Sequence, residues 1–420
     1  MMVGTYDSYS VTQKKSLISN FINPRTLLIL LAFCEKNIVR YFVLAFSMLP
    51  IIGQVSSLIV PTLYIFILIC YCLKERIKLN EDGLPFLLFT ILSILVTCFL
   101  HPENSEFIFD SNNFWNTIFP CLRWFLIGII ILPNKKTIDL IGKVSCVAVL
   151  IETLFLFLYM RPRGLLVEDD MNRSYQLLIN VLFVVNYAVN KKRIIPWLFA
   201  IMGFLYLLFL GTRGPLVISF VFLVLKILTS IDIKIGFKVF FAFLVCSIII
   251  VFITPSLFQI ILPPINSLLK VFGFSTRVFD SFLYEKVSSS FDSGRSDLYS
   301  ELFSLIIQKP LFGYGVYGEW QFVHWNAHNF YIEILFHFGF VIGIPFLLWI
   351  FWIVLHDFFS TPNRFAKELI LLFACNVFVR GFFGGSWLSF AFFLLIGFCI
   401  KEKNRIKSRT ADLIPDNFVS

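Results

Sequence analysis

The chain has 420 residues, 58% of them hydrophobic and 15% charged, with a mean hydropathy of +0.84 and a formal net charge of +9. That balance excludes an ordinary soluble domain. It also argues against a nucleic-acid partner, because the basic residues cluster in short turns between apolar runs, the positive-inside pattern of a membrane protein.

The polar N-terminus, MMVGTYDSYSVTQKKS, has no apolar core followed by a cleavage site, so no removable signal peptide is expected. Apolar runs then recur at about the 20-residue length that crosses the hydrocarbon core. They fall at 26–50, 54–73, 84–100, 113–133, 137–160, 174–190, 194–210, 214–230, 237–255, 329–357, 366–380 and 385–400, which gives about 12 spans. The expected fold is an all-α polytopic integral membrane protein. Residues 1–25 form a cytoplasmic tail, 26–255 hold spans one to nine, and 256–328 form a large outer loop containing short helices. Residues 329–400 hold the last three spans, and 401–420 form a second cytoplasmic tail. Nine cysteines lie in or beside apolar runs, as Cys70, Cys72, Cys98, Cys146, Cys246 and Cys399 do, which fits small buried residues rather than a disulfide framework or a zinc site.

With the N-terminus inside, KERIK (74–78), PNKK (133–136), NKKR (190–193), DIKIGFK (232–238), NRFAKE (363–368) and KEKNRIKSR (401–409) all fall on the cytoplasmic side. The opposite side carries mostly arginine: Arg161, Arg163, Arg173, Arg213, Arg277, Arg295 and Arg380. Arginine at a span end often only reaches up to lipid headgroups. Several on one face instead make a surface for two-point contacts with phosphate or carboxylate. Two charges fall inside spans, Arg123 in FPCLRWFLIG and Glu152 in VLIETLF, each roughly 12–15 Å below the outer surface at 1.5 Å per residue. Their matched depth permits an ion pair, which serves either structure or a polar cavity.

Three stretches carry chemistry. In FLGTRGPLVISF (209–220) two glycines permit a tight outer turn, and Pro215 suits the first turn of the next helix, so Arg213 stands at a helix N-terminus, an anion-binding position. In SGRSDLYSELFSLIIQKPLFGYGVYGEW (293–320), Leu298, Leu302, Leu305 and Ile306 form an apolar stripe. They predict a short amphipathic helix on the outer membrane surface, ending before Pro310, with Arg295 at its beginning. The glycines of GYGVYG mimic a dinucleotide fingerprint without the surrounding βαβ unit and read as a tight backbone loop over a site. In HWNAHNFYIEILFHFGF (324–340), Asn329, Glu333 and His337 share a helix face, and His328 stands at the helix entrance. A histidine there serves as a cap or headgroup contact, or accepts a proton from a hydroxyl. His324, His328 and Glu333 offer the elements of a metal site, but residues 324–327 precede the helix and no third strong ligand is evident.

Taken in order, TRG at an outer turn, an outer-loop Arg followed by PLFGYG, and HNFYIEILFHFG opening a long helix resemble the O-antigen polymerase and ligase superfamily of bacterial envelope enzymes. The pattern covers residues 209–345. The resemblance implies inverting, metal-independent glycosyl transfer on the periplasmic face of the inner membrane, without a cofactor. The donor would be a glycan on undecaprenyl pyrophosphate. By position, Arg213 and Arg295 would bind pyrophosphate. The resemblance leaves open whether Arg161, Arg163 and Arg380 join them; these outer-face arginines and His324 are further candidate substrate contacts. His328 would be the catalytic base, oriented with the sugar by Asn329 and Glu333. The resemblance leans to a polymerase working with a chain-length regulator, and leaves a ligase acting on lipid A–core open. A transporter of anionic glycolipids remains a third reading, disfavoured by one-sided polar clustering and the lack of an internal repeat.

Overall fold

A computed structural model describes residues 28–29, 65–73, 83–110, 118–156, 170–210, 212–230, 263–264, 267, 295–324 and 326–411. The expected first, second and ninth spans, apart from the few residues just named, and about half of the long outer loop lie outside the described residues. Among the described residues the chain is all helical, without a strand. In order the helices are α1 (Gly83–Leu100), α2 (Ser105–Phe109), α3 (Phe119–Ile130), α4 (Lys135–Phe155), α5 (Asp170–Lys191) and α6 (Ile194–Phe209). They continue with α7 (Arg213–Thr229), α8 (Arg295–Gln308), α9 (Glu319–Phe322), α10 (Phe330–Ser360), α11 (Arg364–Ala374) and α12 (Phe390–Ala411). Asparagine side chains start several of them. Asn134 accepts from the Thr137 N–H at 2.9 Å to cap α4, and Asn363 accepts from the Phe365 N–H at 3.0 Å to cap α11.

By length and composition, α1 and α10 can cross a membrane, and α3, α6 and α7 hold shorter apolar segments. The surface of α1 carries the same signature, because Leu88, Ile91, Leu92, Leu95 and Phe99 are all exposed. A contiguous apolar face of this kind is stable against lipid and costly against water. Helix α5 is the opposite case, with Leu178, Val181, Leu182, Val184, Val185 and Ala188 all buried. It packs against α4, α6, α7 and α11 and forms the centre of the bundle.

Helices α3 and α12 pack along one another at backbone distance. A β-carbon on Gly128 would stand 2.5 Å from the Leu394 carbonyl oxygen, and one on Gly397 would strike the Phe125 carbonyl. Small residues at a helix crossing gain close packing where lipid supplies no hydrophobic drive.

Hydrogen bonds tie turns together at each end of the bundle. At one end the Asn363 amide donates to the Pro133 carbonyl (2.9 Å), Lys191 pairs with Asp139 (2.5 Å), and buried Lys226 pairs with Glu368 (2.9 Å). At the other end the Tyr175 hydroxyl donates to the Phe383 carbonyl (2.8 Å) and the Asn104 amide to the Tyr314 carbonyl (2.9 Å). The first set joins turns expected inside the cell, and the second joins turns expected outside.

Two features go beyond the expectations. Of the apolar stripe of α8, Leu302 and Ile306 are fully buried against Ala327, Tyr314 and Phe336, and Leu298 and Leu305 are partly buried there, while Phe303 and Ile307 on the opposite side are exposed. An aromatic-rich wall on α10 supplies the burial that the stripe requires. Helix α10 is also not continuous, since Gly339 has φ 63° and ψ −171°. Arg123 and Glu152 are both buried; the Arg123 guanidinium lies 5.8 Å from the Trp124 ring centroid, and Glu152 accepts from the Tyr206 hydroxyl (3.4 Å).

Replacing Gly397 by Val should cost about 2 kcal/mol or more through overpacking against the Phe125 backbone. Thermal unfolding of the detergent-purified protein reads this as a fall of several degrees; an unchanged midpoint would contradict the α3–α12 crossing.

Candidate functional site

The site begins at the break in α10. A left-handed residue in a helix frees the carbonyls before it and the amides after it, and buried groups of this kind need other partners. The segment PLFGYG supplies them. The Tyr314 N–H donates to the Phe336 carbonyl (2.9 Å) and the Gly315 N–H to that of His337 (3.0 Å). On the other side of the break, the Phe340 N–H donates to the Pro310 carbonyl (2.6 Å) and the Val341 N–H to that of Leu311 (3.3 Å). Glycine is required at both surfaces. A β-carbon on Gly339 would sit 2.5 Å from the Leu311 carbonyl group, and one on Gly313, also at positive φ, would lie 2.6 Å from the Gly339 nitrogen. The expected tight backbone loop is therefore a patch over a broken helix.

The same loop leads through α9 to His328. His324 and His328 both adopt positive φ, 54° and 50°, a conformation that non-glycine residues hold only under constraint. His324 is exposed and His328 half-buried. Several contacts impose the His328 geometry. Ala327 before it is completely buried, and the His328 carbonyl accepts from the Tyr299 hydroxyl (3.3 Å). After it, the Asn329 side chain caps α10 by accepting from the N–H groups of Tyr331 (3.0 Å) and Ile332 (3.2 Å). Burial, and then the nearby positive charge of Arg295, lower the His328 pKa below the ordinary imidazole value.

The arginines converge from other elements. Arg295 opens α8 and lies within electrostatic reach of both His328 and the Tyr175 hydroxyl. Arg380 stacks on the same Tyr175, its guanidinium carbon 4.6 Å from the ring centroid. Its Nε and Nη1 are buried and have no hydrogen-bond partner among the described residues. Gly214, in the first turn of α7, packs against the Tyr175 hydroxyl and Phe383. This places the helix N-terminus that begins with Arg213 beside the same tyrosine. Arg161 and Arg163 lie outside the described residues.

Glu333 lies elsewhere in the site. It is buried one turn below Asn329 and accepts from the Ser386 hydroxyl at 2.6 Å. It joins Glu319 and His337 in a buried group whose ligand-type atoms lie within 4.8 Å of one another. The Trp387 indole N–H donates to His337 Nδ1 (2.9 Å), and His337 Nε2 meets Glu319 Oε2 at 2.6 Å. The Tyr317 N–H also donates to Nε2 (3.2 Å), so each ring nitrogen faces an N–H donor, and the short Nε2–Oε2 contact shares one proton between the ring and the Glu319 carboxyl. Three donors of these types can hold a cation in principle. A metal-bound histidine, however, normally donates its second N–H to a neighbour. Here N–H groups engage both ring nitrogens, Trp387 at Nδ1 and Tyr317 at Nε2, so the imidazole as arranged offers an ion no free lone pair, and the donor set does not fit a metal.

Sequence reasoning placed His337 on the face of Asn329 and Glu333 but gave it no role, and it missed Glu319, Trp387, Ser386, Tyr175 and Tyr299. The signal for Glu319 was its position directly after GYGVYG, a carboxylate carried by a loop that must approach backbone.

A family model described as O-antigen ligase matches residues 197–348, a little over a third of the chain. The match spans most of α6, all of α7, α8 and α9 and the first part of α10, the stretch that carries the three motifs. It supports the O-antigen polymerase and ligase superfamily, a class of bacterial membrane proteins that act on lipid-linked polysaccharide. Neither a search of the curated proteins nor one of the solved structures finds a match.

Gly339→Ala should cost about 1–3 kcal/mol in backbone strain before the clash with Leu311 is counted. Undocking of the PLFGYG loop should appear as faster chymotryptic cleavage after Phe312. Cleavage at the wild-type rate would mean that the loop does not depend on the break.

Proposed function

We propose that this protein is a polymerase that joins undecaprenyl-pyrophosphate-linked repeat units at the outer face of the bacterial inner membrane, through a bundle of about 12 spans with both termini inside. The observation that carries the reading is the convergence of Arg295, Arg380 and the α7 N-terminus on Tyr175, with His328 beside Arg295. The cations and the helix N-terminus form an anion site at headgroup depth, and the imidazole is the nearby base.

In this mechanism an acceptor hydroxyl attacks the anomeric carbon of the donor glycan from the face opposite the pyrophosphate. A new C–O bond forms as the bond to the phosphate oxygen breaks, and configuration inverts. His328 takes the hydroxyl proton, a step worth about 10²–10⁴-fold. The leaving group departs with its charge held by Arg213, Arg295 and Arg380, the larger contribution for a pyrophosphate. Arg380 is suited to this because its planar face rests on Tyr175 and its buried N–H groups await an acceptor. Arg161, Arg163 and His324 would contact the remaining phosphate or sugar. Asn329 fixes the turn that presents His328, and Glu333 supports it from one helical turn below. Arg123 and Glu152 would form a buried pair beneath the site. A chain-length regulator would act from outside.

The description of the matching family model favours a second reading, ligation of the finished glycan to lipid A–core. Surface lipopolysaccharide from cells lacking the protein separates the two. Core bearing a single repeat identifies a polymerase, whereas bare core with long glycans on undecaprenyl pyrophosphate identifies a ligase. A transporter would leave purified protein unable to lengthen lipid-linked oligosaccharide in vesicles without an ion gradient.

In that vesicle assay His328→Ala should remove product at least about 100-fold while the protein stays folded. Arg380→Lys should lower turnover by about tenfold or more, because an ammonium lacks the fork. Full activity in both would sink the site. The base must be neutral, so activity should fall as pH drops through the His328 pKa, and the acidic limb of kcat/KM should lie below the usual imidazole value of about 6.5. Arg295→Gln removes the nearby positive charge and should move the limb upward, short of the full distance because burial remains. A limb that stays fixed or moves down would contradict the pairing of Arg295 with His328.

A further inference from the structure

The Glu319–His337–Trp387 group is too deep to touch a lipid-linked glycan, since both ionisable side chains are only 1% exposed and Trp387 is completely buried. It nevertheless connects to the proposed base through a short chain of contacts. Glu319 is the first residue of α9, and its neighbour Trp320 donates its indole N–H to the Asn326 side-chain oxygen at 3.1 Å. Asn326 lies two residues before His328, and Ala327 between them is locked in the apolar cluster under α8. On the far side, His337 belongs to the short first segment of α10, whose N-terminal cap is Asn329. The turn that strains His328 is therefore held at one end by α9 and at the other by the helix to which Glu319 anchors α9.

We propose that Glu319 and His337, seated on the Trp387 indole, are the positioning pair for His328: they clamp α9 to the broken helix, and α9 fixes the 326–328 turn through Trp320. The geometry gives the clamp its direction. Trp387 orients the ring from Nδ1, so Nε2 faces the loop, where the Glu319 carboxyl and the Tyr317 N–H both meet it. A hydrogen bond to a charged acceptor is roughly twice as strong as a neutral one, and both partners are shielded from water. The four backbone bonds at Gly339 end at Gly315; beyond them Val316 donates to the Thr97 hydroxyl, the Gln321 amide donates to Asn104 and Trp320 stacks on Phe107, and Glu319 is the contact that ties α9 to α10 itself.

The proposal rests on the glycosyl-transfer reading for its kinetic test only. Glu319→Leu removes the acceptor while keeping bulk. In the vesicle assay it should lower kcat by about 10–100-fold, the scale of an ångström-level misplacement of a reacting group, with KM for lipid-linked oligosaccharide unchanged. Glu319→Gln keeps an acceptor oxygen and should recover part of that loss. Trp320→Phe, which breaks the contact between α9 and Asn326, should lower kcat in the same way. A double variant with His337→Gln should be no worse than Glu319→Leu alone, because the two act as one unit. Wild-type kcat in folded Glu319→Leu, a rise in KM at constant kcat, or additive losses would overturn the proposal. Hydrogen exchange supplies a readout that needs no activity. If the wild-type protein transfers no glycan, the functional reading fails, yet the Val323 amide, bonded to the Glu319 carbonyl, should still exchange faster in Glu319→Leu than in wild type. Equal exchange would overturn the clamp itself.

Discussion

The interruption of α10 at Gly339 governs the architecture around the site. It lies about 13 Å along the helix from its first residue, deep enough that water cannot satisfy the freed backbone groups. Irregular backbone at such depth persists only where protein covers it, and four hydrogen bonds from residues 310–315 do so. This requirement brings a segment of the long outer loop back against the bundle. Once Gly315 is docked, Glu319 stands four residues further on, within reach of the His337 imidazole. The apolar stripe of α8, which precedes the loop, then finds its burial on the same segment of α10.

Charge is treated differently at the two ends of the molecule. At the end expected to face the cytoplasm, buried or half-buried cations meet carboxylates directly, as Lys226 and Arg364 do at Glu368 and Lys191 does at Asp139. Around Tyr175 the neighbours of Arg380 are aromatic rings, which attract its charge but accept none of its N–H donors along their edges. A desolvated guanidinium with bare N–H groups is costly unless an anion completes it. That asymmetry, more than the count of arginines, is what recommends the Tyr175 side for the charged lipid proposed above.

The apolar runs were legible because period and polarity change together at their ends. Helices α1, α6 and α7 begin and end within about a residue of the expected spans at 84–100, 194–210 and 214–230. The break at Gly339 was not legible, since HFGFVIGIPF reads as one continuous apolar run and glycine is common inside membrane helices. His328 could be found from its polar surroundings at a helix mouth. Glu319 could not be paired with His337, because 18 residues of loop and helix separate them and only the backbone docking brings them together. The α8 stripe gave the right helix and not the residues that cover it, since periodicity shows that a face is apolar without naming what packs there.

The turn between α11 and α12 joins the two halves of the site. Its sequence RGFFGGSW opens with Arg380 over Tyr175 and continues to Phe383, whose carbonyl takes the Tyr175 hydroxyl. It closes with Ser386 on Glu333 and Trp387 on His337. The anion face and the base-positioning network are thus fixed by eight consecutive residues, and α8 spans the gap from the other side by placing Arg295 near both Tyr175 and His328. The inverting displacement proposed above needs this rigidity, because the departing phosphate and the attacking hydroxyl must lie on opposite sides of one carbon. On that reading the distance between His328 and the arginines around Tyr175 is set by the fold, through α5, α8 and this turn, rather than by the acceptor.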